Sequence, residues 1–269
     1  MDTSAADVRQ RVDDFILSLV DSPIAVALDG RVRLVKSLLV RDAIRRALYG
    51  PITSWESLSF SLAEALAGNY SFLLQTAPTA TIFIDETCSE TSESFPPPNY
   101  SWADDASSGV LCGDSAYDAG ERNETWAQDV VDFLENQSFT TGESFARTPL
   151  SCSGWGYRPK YVFRGPFGSA SQNGAQSGAE QPPVILLLSA RYDHVTPLAN
   201  AEDLLRQYPG SGLVIQESVG HCAFLAAKSL CTEKIVREYF VTGAVPAHIT
   251  TCEPDCVPRI PYETCPNFL

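Results

Sequence analysis

Apolar positions along the chain change period several times, and each change marks an element. Val8, Val12, Phe15, Ile16 and Leu19 recur at helical spacing behind Ser4, a residue suited to cap a helix start, so residues 4–20 are expected to form a helix. The period then drops to two. Ile24, Val26 and Leu28 alternate with other residues up to Asp29-Gly30, and Val32 and Leu34 alternate after it, which is the pattern of a tight β-hairpin. Helical spacing returns over about 36–49, and again through Trp55, Leu58, Leu62 and Leu66 to a stop near Gly68.

The middle of the chain is less regular. Residues 85–108 are acidic and rich in Ser and Pro, with Pro96-Pro97-Pro98, and read as a surface excursion. A short strand is expected around Val110-Leu111-Cys112 and a helix over about 117–137. Residues 165–181 are dominated by Gly, Ser and Gln and predict a flexible loop. From residue 183 the character changes again. Val184 to Leu188 is an unbroken apolar run, as in a parallel strand covered on both faces. Thr196-Pro197 reads as the cap and first position of a helix reaching about Tyr208, and Leu213-Val214-Ile215 as a second buried strand. Gly220-His221 and a helix over about 231–241, ending at Gly243, complete a strand–helix–strand–helix series, the mark of α/β architecture.

Charge and composition narrow the function. A net charge of −14 disfavours a nucleic-acid partner and an anionic membrane surface, because both require a basic face. No apolar run approaches the roughly 20 residues needed to span a bilayer. The eight cysteines lack zinc-site spacing, and their even number fits disulfides in an oxidising compartment. Four N-x-S/T sequons, at Asn69, Asn99, Asn123 and Asn136, agree with a secreted glycoprotein. Residues 1–20 carry no signal-peptide pattern, so the chain is expected to lack the front of a longer product.

The chemistry gathers at two strand ends. Asp193 lies just past the first buried strand and His221 just past the second, where α/β sheets place their ligands. A hydrolase triad of this architecture runs in the order Ser, acid, His, and the last two members stand in that order here. The stretch Pro183 to Pro197, which ends Asp193-His194-Val195-Thr196-Pro197, resembles the D-x-V-T-P acid turn of the tripeptidyl-aminopeptidase-like serine peptidases. Gly220-His221-Cys222 resembles their histidine turn. The tail through Ser229-Leu230-Cys231-Thr232, Tyr239-Phe240, Gly243, Pro246 and Cys252-Glu253-Pro254 follows their C-terminal signature. Leu111-Cys112-Gly113-Asp114 and Cys152-Ser153-Gly154-Trp155 are weaker matches upstream.

The resemblance implies a partial α/β-hydrolase fold in three parts: a mostly helical cap or lid over 1–110, a connecting segment over 111–182, and a C-terminal α/β domain over 183–269. It implies Asp193 as the acid and His221 as the general base of a serine hydrolase that needs no cofactor. The substrate would be a peptide, or a small ester or amide, split through an acyl-enzyme. It also implies secretion. Yet no G-x-S-x-G occurs in the sequence. The nearest imitation, Gly113-Asp114-Ser115-Ala116-Tyr117, puts Tyr117 where a nucleophile elbow needs glycine. The serine and the rest of the sheet are therefore expected in a missing N-terminal portion, leaving this chain with exposed sheet edges and poor solubility. The alternatives are an inactive paralogue that binds a ligand, and the C-terminal half of a split hydrolase. Cys222 reads as a half-cystine, with Cys231 as a candidate partner in a local cluster with Cys252; His194 and His248 read as solvent-exposed, and Trp155 as a packing aromatic.

Overall fold

The computed structural model describes residues 4–28, 30–76, 102–114, 122–162 and 184–258. The expected loop at 165–181, the bulk of the excursion at 85–101, and Ser115 lie outside them. The chain forms two compact units, one of Met1–Asp42 with Leu74–Phe163, the other of Ala43–Leu73 with Arg164–Leu269.

In the first unit, helix α1 (Ala5–Asp21) starts in a capping box. The Ser4 hydroxyl accepts the Asp7 N–H at 3.2 Å while the Asp7 carboxylate accepts the Ser4 N–H at 3.0 Å. Strands β1 (Ile24–Leu28) and β2 (Arg31–Val35) pair antiparallel as a tight hairpin, with Leu28 opposite Arg31. Gly30, at φ +72°, supplies the left-handed conformation that such a turn requires. Helix α2 (Ser37–Ala47) follows. Arg41 on α2 is buried, with Phe139 supplying both a carbonyl acceptor and a ring face, and Glu135 and Glu143 supplying charge at 3.5 and 3.3 Å.

One element of this unit corrects the sequence-based expectation. Residues 110–112 are not a strand but belong to a helix, α5 (Trp102–Asp114), which also absorbs the end of the expected excursion. Val110 and Leu111 are 64% and 54% exposed while Cys112 is buried. Consecutive residues facing outward fit a helix, whose side chains step by about a quarter turn, and contradict a strand's alternation. Cys112 is turned inward because it is bonded to Cys152. Helix α6 (Glu124–Gln137) begins at Asn123, whose side chain accepts the Trp126 N–H at 2.9 Å. Helix α7 (Gly142–Ser151) packs against α6 so closely that a Cβ on Gly142 would stand 2.2 Å from the Leu134 carbonyl oxygen.

The second unit contains α3 (Pro51–Leu66), which follows Gly50, and a parallel sheet. Pro51 occupies the first turn, where its missing N–H costs nothing. Helix α4 (Ser71–Thr76) starts in this unit and ends in the other. The sheet has the order β3 (Leu186–Tyr192), β4 (Gly212–Val219), β5 (Thr250–Cys252), all parallel. Strand β4 is central and almost wholly buried, with Leu213, Val214 and Ile215 in the core. Strand β3 starts later than expected, at Leu186, and runs on through Arg191 to Tyr192, which pairs with Val219 of β4 across a register shift after Ala190.

Helix α8 (Leu198–Gln207) begins one residue after Pro197, which is its cap rather than its first residue. Thr196 is drawn instead into the turn around Asp193. Helix α9 (Ala223–Ala226) follows β4, and α10 (Leu230–Thr242) ends at Gly243, whose φ of +74° closes the helix in the left-handed form. The disulfide Cys231–Cys252 ties α10 to β5. The fully buried Gln216 links β4 to the following loop: its amide group donates to the Ala223 and Ala227 carbonyls at 2.7 and 3.0 Å, and its oxygen accepts the Thr232 hydroxyl at 2.8 Å.

Candidate active site

Asp193 comes directly after β3, and its side chain is 1% exposed. A carboxylate so placed needs donors, and the two adjoining turns supply them. Its Oδ1 accepts the main-chain N–H groups of Val195 and Thr196 at 2.8 and 2.9 Å. Its Oδ2 accepts the Thr196 hydroxyl at 2.8 Å and the Cys222 N–H at 2.9 Å. Burial alone would raise the carboxyl pKa, but these four hydrogen bonds more than offset it and lower the value from 3.8 to about 2. Asp193 is therefore a fixed negative charge at any neutral pH.

His221 reaches this carboxylate from the end of β4. Gly220 makes the turn at φ +113°, its N–H donating to the Tyr192 carbonyl at 3.2 Å and so tying the two strand ends together. The His221 Nδ1 then lies 3.2 and 3.1 Å from the two Asp193 oxygens, and 3.5 Å from the Thr196 hydroxyl. A carboxylate on Nδ1 places the proton there and leaves Nε2 as an acceptor. The Cys222 Sγ stands 3.4 Å from Nε2, in position to donate to it. The imidazole side chain is 25% exposed. Such a pair can take a proton at Nε2 and hold the resulting imidazolium against a buried negative charge.

Two expectations are corrected here. Cys222 is not a half-cystine but a free thiol, since Cys231 is bonded to Cys252 and leaves it no partner there. Burial, then the Asp193 charge, push its thiol pKa up, which disfavours the thiolate. Cys222 also holds a left-handed backbone at φ +65°, and that conformation aims its N–H at Asp193. His194 is half-buried rather than exposed, with its ring edge-on to Tyr49 at 5.0 Å. Burial lowers its pKa, Asp193 opposes that, and His221 and Arg45 add to it. A neutral His194 leaves the Asp193 charge directed at His221.

His248 is exposed, and Trp155, in the other unit, lies against Gly109 and Tyr157. Among the described residues no group of three or more His, Cys, Asp or Glu side chains could hold a metal ion, and no helix is long and apolar enough to cross a membrane.

The sequence alone does not point to Tyr49 or Pro51. Both come from a stretch read as cap, yet the Tyr49 carbonyl accepts the His221 N–H at 3.0 Å, and Pro51 lies against Gly220. Nothing in the local pattern at 49–51 distinguishes it from any helix–helix turn. The Thr196 hydroxyl was legible in principle, three residues past an Asp in a turn.

Residues 137–252, which hold both Asp193 and His221, match the model of the TAP-like protein family. Curated relatives include the tripeptidyl aminopeptidases of Streptomyces coelicolor and Streptomyces lividans, each 27% identical over 150 residues, or 56% of this chain. The match covers 25% of the length of each of these relatives. Over residues 137–252 this chain is similar to the TAP-like proteins, which supports a TAP-like α/β-hydrolase in its C-terminal part.

Proposed function

We propose that Asp193 and His221 are the acid and general base of a serine peptidase that removes short peptides from substrate N-termini through an acyl-enzyme. The observation that carries this is the His221 Nδ1 at 3.1 Å from a buried carboxylate fixed by four donors, on an imidazole that is 25% exposed. In this reading Nε2 accepts the proton of an attacking serine hydroxyl and returns it to the leaving amine, while Asp193 stays ionised and stabilises the imidazolium. The kind of substrate comes from the relatives' names, tripeptidyl aminopeptidase. The nucleophile comes from polypeptide other than these 269 residues, continuous with them or separately encoded, because they contain no G-x-S-x-G. The disulfides Cys112–Cys152 and Cys231–Cys252 support a secreted protein, formed in an oxidising compartment.

The test is a serine-directed fluorophosphonate probe applied to the protein isolated from its native source. Covalent labelling of a G-x-S-x-G serine, in this polypeptide's extension or in a co-purifying one, is expected, and His221→Ala should abolish it. No labelling of a folded protein overturns the reading and leaves ligand binding by an inactive paralogue.

A further inference from the structure

We infer that Tyr49 is a positioning residue for His221, fixing the orientation of the imidazole from the side that Asp193 does not reach; this rests on the reading of His221 as general base. Asp193 holds the ring at Nδ1, and the Cys222 Sγ stands 3.4 Å from Nε2, so these partners meet the ring at its nitrogens. Tyr49 adds two contacts of different kinds. Its carbonyl accepts the His221 N–H at 3.0 Å, which fixes the main chain from which the ring projects. Its own ring stands edge-on to the imidazole, with centroids 5.2 Å apart and planes at 77°.

Tyr49 is itself caged. The His194 ring meets it edge-on at 5.0 Å and 88°, and the Arg45 guanidinium lies 5.8 Å from its centroid. The turn that carries it cannot slide, since a Cβ added at Gly220 would come within 2.6 Å of Pro51 Cδ and 3.1 Å of the Tyr49 carbonyl oxygen. A ring held on both sides and anchored through its backbone is built as a wall. Tyr49 and His221 fall in the same compact unit.

An edge-to-face ring contact changes the population of the aligned imidazole by roughly two- to tenfold. The experiment uses the full chain, which has three histidines and therefore three imidazole Cε1–H signals in proton NMR. In Tyr49→Leu the His221 and His194 signals are expected to move while that of exposed His248 stays, and the low-field Nδ1–H signal of His221 should broaden through exchange with water. Tyr49→Phe keeps the ring and should restore all of these. A Tyr49→Leu protein with wild-type His221 signals, or a Tyr49→Phe protein that fails to restore them, overturns the inference. In the native assembly Tyr49→Leu should slow fluorophosphonate labelling by the same two- to tenfold, and Tyr49→Phe should recover the rate. Wild-type protein that shows the NMR pattern but takes no label keeps Tyr49 as the wall beside His221 and removes only the serine-peptidase reading.

Discussion

Replacing Asp193 with Asn keeps the shape of the side chain and removes its charge, and the structure dictates how the new amide must sit. Oδ1 accepts two main-chain N–H groups, from Val195 and Thr196, and neither can reverse its polarity. The amide nitrogen must therefore take the Oδ2 place, where the Thr196 hydroxyl can rotate to accept but the Cys222 N–H cannot. One buried donor is left without a partner, a cost of about 1–3 kcal/mol, and the remaining bonds lose the strengthening of a charged acceptor. The carboxyl pKa leads to a similar figure. A drop from 3.8 to about 2 in the folded state, at about 1.4 kcal/mol per pH unit, corresponds to roughly 2–3 kcal/mol of stability.

The sign follows from the depressed folded-state value. The contribution is present in full above the unfolded pKa and is lost as pH falls from about 4 to about 2. Urea unfolding of the wild type and Asp193→Asn should differ by roughly 2–3 kcal/mol at pH 7, and the two should converge over that acid range. The other carboxylates titrate alike in both proteins and cancel in the difference. A gap that persists unchanged to pH 2, or one below about 0.5 kcal/mol at neutral pH, would refute the four-donor account.

Three further perturbations probe the frame around the site. Gln216→Leu leaves the Thr232 hydroxyl and the Ala223 and Ala227 carbonyls unmatched in the core, so the unfolding free energy from urea titration should fall by about 3 kcal/mol or more. Gly142→Ala drives a methyl group into the Leu134 carbonyl at 2.2 Å and must part α6 from α7; calorimetry should show a lowered Tm for the first unit, by about 1–3 kcal/mol in stability. Removing the Cys231–Cys252 disulfide, which closes a loop of sequence separation 21, should cost roughly 3 kcal/mol, measured by urea titration of Cys252→Ser.

A fourth prediction concerns the free thiol. With its pKa raised by burial and by Asp193, Cys222 should alkylate more slowly at pH 7 than an unhindered thiol, and faster as pH rises. Peptide mapping after timed alkylation reads this directly, and a fast reaction at pH 7 contradicts the raised pKa.

Much of this protein is written locally and was legible for that reason. The capping box at Ser4 and Asp7, the turn at Gly30 and the helix stop at Gly243 each depend on a few neighbouring residues, and such preferences survive in almost any surroundings. That Asp193 and His221 follow buried strands was legible from the apolar runs at 184–188 and 213–215, although β3 and β4 each continue four residues beyond them, to Tyr192 and Val219. Tertiary contacts decided the rest. Whether Val110-Leu111-Cys112 is strand or helix turns on the bond to Cys152, and the choice of Cys252 over Cys222 as partner of Cys231 turns on β5 lying beside β4. The three-residue β5 has too few side chains to announce itself. Tyr49, 172 positions before His221, meets it only because the chain folds the turn at 49–51 against Gly220. The sequence alone determined which groups could carry charge and protons and that each follows a buried strand. Only the folded structure determined what stands against those groups, because burial, hydrogen-bond partners and ring contacts are properties of neighbours distant in the chain.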